Sequence, residues 1–173
     1  MKVYQAIAEA AKAGDVALVA ELIEQTPDLI RCATAEGWTP LHLAVHEGHG
    51  PVAELLLAQG ADVDTPAHND LRNTPMLRAV MAGQSAMVAL LLAHGADVNL
   101  ANAAGATPLH KAAIHGDSEL VRLLLAHGAR TDARNSGGQT PLIHALYHHH
   151  TETIALLEQE TAHAKAHGIR PHG

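Results

Sequence analysis

The stretch Thr107-Pro108-Leu109-His110-Lys111-Ala112 has a close copy earlier in the chain, Thr39-Pro40-Leu41-His42-Leu43-Ala44. Two looser copies keep the same order, Thr74-Pro75-Met76-Leu77-Arg78-Ala79 and Thr140-Pro141-Leu142-Ile143-His144-Ala145. The Thr-Pro pairs are spaced 35, 33 and 33 residues apart, and the Gly-Ala pairs at 60–61, 95–96 and 128–129 are spaced 35 and 33. Two independent markers in the same phase define an internal repeat. A period of this length belongs to arrays of small stacked units.

Each unit reads as two short helices. Thr39 is an N-cap and Pro40 fits the first helical position, where its missing N–H costs nothing. Leu41, Ala44 and Val45 then share one face, and Gly48 ends the helix. A second helix carries Val52, Leu55 and Leu56 and stops at Gly60 in a left-handed cap. The next units repeat this from Pro75 to Gly83 and Ala86 to Gly95, then from Pro108 to Gly116 and Ser118 to Gly128. Helices of about two turns are unstable alone, so stacking must bury their apolar faces. The composition agrees. Of 173 residues 47% are hydrophobic, yet there is no Phe, one Trp and two Tyr, so Ala, Leu and Val must fill a thin core.

The period of 33 with Thr-Pro-Leu-His-x-Ala resembles the ankyrin repeat over roughly residues 4–158. The resemblance implies an all-α ankyrin-repeat solenoid of about five helix-turn-helix repeats joined by β-hairpin-like loops. The expected domain is 1–160, with repeats at about 4–33, 34–68, 69–101, 102–134 and 135–160, and a frayed tail at 161–173 that an extension of the last helix can precede. The first and last repeats are expected to be caps, more polar on their outer faces; the last loses its helix-ending Gly to His149.

The resemblance also implies a function, non-enzymatic binding of another protein, as adaptor, inhibitor or regulatory subunit. In that family the hairpin tips and the exposed side of the first helices line a concave groove. The register names the positions. Before the Thr stand Trp38, Asn73, Ala106 and Gln139. Four after it stand Leu43, Arg78, Lys111 and His144; seven after it, His46, Met81, Ile114 and Tyr147; eight after it, Glu47, Ala82, His115 and His148. Met81, Ile114 and Tyr147 make an apolar stripe where a solvated helix would be polar, with Arg78 and Lys111 as a basic column beside it. Trp, Tyr, Met and Arg are enriched at interface centres. The bland reading is tolerated surface, since exposed apolar residues are ordinary. The favoured partner presents an apolar segment with acidic groups nearby.

The two extra residues fall in the hairpin 64–72, where Arg72 stands in place of Gly37, Gly105 and Gly138. The substitution suggests a different turn geometry, serving either specificity or nothing.

Fifteen histidines invite a metal reading. The register removes His42 and His110, which the family uses structurally, and His49, His94 and His127, which stand at helix ends. His144 and His148 are i, i+4, with His115 one repeat away, and His163 and His167 form a second such pair. No intervening Glu, Cys or nearby Asp completes a zinc set, so no metal or other cofactor is expected. The alternative function keeps this His-rich wall as a small-molecule- or metal-responsive module. A pH response is better founded: protonating every His would move the formal charge from −7 to +8.

The charge of −7 argues against nucleic-acid binding, and no apolar run approaches a membrane span. Cys32, the one cysteine, allows no internal disulfide. No secretion signal is visible, and a cytoplasmic, bacterial setting is expected. No catalytic fingerprint is present. An exposed groove could also take a second copy of the chain.

Overall fold

In the computed structural model the structure describes residues 3–166. They form ten α-helices and a 3-10 turn, with no strand among them. The helices pair as the period requires: α1 (Val3–Ala13) with α2 (Val16–Gln25), α3 (Pro40–Glu47) with α4 (Gly50–Ala58), and α5 (Pro75–Met81) with α6 (Ser85–Ala93). α7 (Pro108–His115) pairs with α8 (Ser118–Ala126), and α9 (Pro141–Tyr147) with α10 (Thr151–Ala166). α10 runs past the expected boundary at 160. His167 of the second histidine pair lies outside the described residues.

The chain divides into two compact units, Met1–Asp97 and Val98–Gly173. A repeat touches only its neighbours, so compactness is a local property of such a chain. In the first unit α3 packs between α1 and α5 and buries Leu41, Ala44 and Val45. In the second, α9 packs on α7, around Leu109, Leu124 and Leu157.

Local chemistry fixes the helix ends. Thr39, Thr74 and Thr107 cap α3, α5 and α7 by accepting from the N–H of His42, Leu77 and His110. Each is followed by Pro at the first helical position. Thr140 makes no such side-chain bond. Asp15 and Asp117 cap α2 and α8.

The hairpin-like loops are turns with one closing rung. Thr34 N–H donates to Trp38 O at 2.9 Å, Asn102 to Ala106 O at 3.1 Å, and Asn135 to Gln139 O at 3.0 Å. In the longer finger the rung joins Ala67 to Asn73 O at 2.9 Å, and the turn closes two residues later, Arg72 N–H on Asn69 O at 3.1 Å. Arg72 takes φ +49, the left-handed region that Gly37, Gly105 and Gly138 occupy. The expectation of a different turn geometry is therefore corrected. The turn keeps its form, and the insertion is absorbed at 68–69, where His68 N–H donates to Gly37 O at 2.7 Å and Asn69 Nδ2 to Glu36 O at 2.9 Å. Gly37 is needed there twice over: its φ is +83, and a Cβ would meet the His68 carbonyl at 2.5 Å.

In the last repeat the polar residues Thr151, Glu152, Glu158 and Glu160 lie on the second helix, α10, while the first, α9, leaves Ile143 40% and Leu146 48% exposed.

Candidate functional site

The motif histidines bridge repeats. His42 is fully buried, with Nδ1 2.8 Å from Thr39 Oγ1 and Nε2 2.9 Å from Asn73 O. A carbonyl only accepts, so Nε2 carries the proton and Nδ1 accepts from the threonine hydroxyl. Burial pushes the imidazole down to about 4 against the raising effect of the Asn73 carbonyl, with the Arg78 and His68 charges adding to the fall. His110 repeats the arrangement with Thr107 and Gln139 O, at 2.8 and 2.9 Å, and burial lowers its pKa too.

The exposed face of the first unit is built around Trp38 and Arg78. The Arg78 guanidinium lies 4.2 Å from the Trp38 ring centroid, and the indole is tilted against His42 at 5.6 Å. Arg78 is half-buried, and its Nε has no hydrogen-bond partner among the described residues. Burial lowers the guanidinium pKa, with Glu47 opposing. Met81 is 39% exposed on the same helix, and Asn73 Nδ2 donates weakly to its Sδ at 3.8 Å. His46, Glu47 and Arg72 are exposed.

Two expected members of this face are not on it. Leu43 is only 5% exposed, because a branched aliphatic chain folds into the packing of α3, whereas Arg and Lys at the same register carry their charged heads to water. Asn73 is 2% exposed; its carbonyl receives His42 and its amide turns to Met81.

In the second unit Lys111, Ile114 and His144 are half-buried, and His115, Gln139, Tyr147 and His148 are exposed. Tyr147 stacks edge-on with His148 at 5.2 Å, and His148 lies over His150 at 5.8 Å. Among the described residues no group of three His, Cys, Asp or Glu could hold a metal ion, so His115, His144 and His148 form no such set. The reason is local. Asn135 Oδ1 accepts from Gly137 and Gln139 N–H, so its amide nitrogen donates to His144 Nε2 at 3.0 Å and occupies that lone pair. Burial, then the charges of His148 and Lys111, lower the His144 pKa. The charge swing that fifteen unperturbed histidines would give is accordingly reduced at His42, His110 and His144.

Sequence reasoning missed the bridges four residues past the Gly of the first two Gly-Ala pairs. Asp64 accepts from Asp97 N–H at 3.1 Å, and Asn99 Oδ1 from Arg130 N–H at 2.8 Å. The recurrence of Asp or Asn at that register was the available signal.

Paired short helices, left-handed glycine stops and histidine bridges from one repeat to the next define a class of helical repeat protein. A family model described as ankyrin repeats (3 copies) matches residues 7–102 and 76–166, and the chain belongs to that family. Its repeats are generally protein–protein interaction modules, and the family is typically non-catalytic.

Among curated proteins the chain is similar to the 2-5A-dependent ribonuclease of Mus musculus, 44% identical over 54 residues, 31% of this chain and 7% of that protein. It is 49% identical over 43 residues to Ankyrin-3 of Rattus norvegicus, 25% of this chain and 2% of that protein. With the Ankyrin repeat and SAM domain-containing protein 6 of Mus musculus it shares 38% over 55 residues, 32% and 6% of the two. The chain thus matches only a small part of each of these proteins. No helix among the described residues is long and apolar enough to cross a membrane.

Proposed function

We propose that the chain is a non-enzymatic protein-binding module, an adaptor, inhibitor or regulatory subunit. In its first unit the partner is received around Trp38, Arg78 and Met81. In its second, Lys111, Ile114, His115, Gln139, His144, Tyr147 and His148 offer a separate mixed basic and apolar face. The observation that carries this reading is Arg78. Its guanidinium lies over an indole, partly desolvated, with an N–H left over, which favours a carboxylate beside an apolar side chain. A cytoplasmic setting suits the single thiol of Cys32, whose pKa burial raises, away from the reactive thiolate.

Displayed-peptide selection tests the proposal. Peptides recovered on the wild type should pair apolar residues with Asp or Glu. They should bind Arg78→Glu at least about tenfold more weakly and Arg78→Lys to an intermediate degree, because Lys keeps the charge and loses the planar stack. Equal binding to all three, with helicity intact, would remove Arg78 from the site.

A further inference from the structure

Among the described residues two apolar faces are left uncovered, and they are the two halves of one kind of interface. On the side of a first helix that faces the following repeat, Ala8 and Ala11 of α1 are 4% and 0% exposed, His42 and Val45 of α3 are both 0%, and His110 and Ala113 of α7 are both 0%. α3, α5 and α9 cover them in turn. In α9 the same register holds Ile143 and Leu146, 40% and 48% exposed. On the opposite side, the second helices face the preceding repeat through Val52 of α4 and Thr153 of α10, both fully buried. In α2 that register holds Leu18, 37% exposed, followed at i+4 by Leu22, half-buried where its equivalents Leu56 and Leu157 are fully buried.

We propose that a second copy of this chain covers the first face with the second. Ile143 and Leu146 of one copy stack on the Leu18 and Leu22 side of another, continuing the repeat-to-repeat interface between molecules. Each copy supplies what the other lacks, because each carries both halves. The chemistry fits a largely apolar contact. Ile143 replaces an imidazole, so this face, unlike those of His42 and His110, needs no carbonyl from the next repeat. One interior bond is missing. His49 and His150 reach back to Lys12 O and Ile114 O at 2.8 and 3.0 Å, but the equivalent residue of the first repeat is Asp15, an acceptor already engaged by Leu18 N–H. The contact is therefore weaker than those within the chain. It is also heterologous, so it can repeat beyond a dimer.

Sedimentation velocity from about 10 μM to about 1 mM tests this, the range where a weak contact of this kind is populated. The wild type should gain mass with concentration. Leu146→Lys and Leu18→Lys, one on each face, should each stay monomeric, and their equimolar mixture should form a heterodimer that grows no further. A wild type that remains monomeric throughout would overturn the proposal, whether residues outside the described range or nothing at all covers the face. Association by Leu18→Lys alone would overturn it in favour of a face pairing with itself. Both sites are exposed, and circular dichroism checks the fold. Ile143→Ser and Leu18→Ser repeat the test with milder changes should either lysine unfold the chain.

Discussion

His42 in the first unit and His110 in the second make the same bonds to the same kinds of partner, yet they sit in different surroundings. The acceptor of His42 belongs to Asn73, 2% exposed, whereas that of His110 belongs to Gln139, which is exposed. One motif therefore carries two energetic weights. The imidazole–carbonyl bond is constant, and access of water to the carbonyl sets the cost of losing it.

The largest expected effect breaks this contrast directly. Both substitutions leave a hole, but His42→Ala also strands the carbonyl of a buried residue and should cost about 3 kcal/mol, whereas His110→Ala leaves the carbonyl of the exposed Gln139 and should cost about 2 kcal/mol. Far-ultraviolet circular dichroism reports the helices of both units. Urea unfolding followed in this way should shift strongly for the first substitution and weakly for the second. Equal shifts would mean that burial of the acceptor does not matter.

The next effect uses pH. The unfolded imidazole of residue 42 titrates near 6.5 and the folded one at about 4. Below pH 6.5 the unfolded chain takes up a proton that the folded chain refuses, so this stability is complete above pH 6.5 and is lost as pH falls toward 4. The loss amounts to about 3 kcal/mol. His110 adds a contribution of the same sign. Comparing wild type with His42→Gln, whose amide can still donate to Asn73 O, should isolate the slope. Parallel stability–pH curves would contradict it.

The smallest effect concerns the two left-handed residues that are not glycine, Arg72 in the first unit and His149 in the second, at φ +49 and +59. Arg72→Gly and His149→Gly should each stabilise by up to about 1 kcal/mol, the relief of the left-handed backbone less the entropy glycine loses on folding. Calorimetry would detect either sign.

The fold was legible because Thr-Pro and Gly-Ala punctuate helices in a way that depends on backbone geometry alone. The site was legible only as direction. Register placed Leu43 and Arg78 in one column, but depth follows from side-chain chemistry: leucine sinks into α3's packing while arginine stays at the surface. The Trp38–Arg78 stack was not legible, since it joins two repeats at different register positions. The finger misled because a missing glycine reads as a changed turn, whereas Arg72 adopts the glycine conformation.

Gly14 and Gly116 close the first helices of their repeats, and each has the imidazole of a following repeat, His49 or His150, where a Cβ would stand. A Cβ on Gly14 would come within 2.7 Å of that ring. At Gly48 the amide of Gln84 fills the same space. At these three positions glycine is a socket, and the residue one repeat later is its plug. A unit moved to one of these places fits only if it brings a plug for its predecessor's socket. Socket and plug should therefore change together along lineages, although they lie about one repeat apart in sequence.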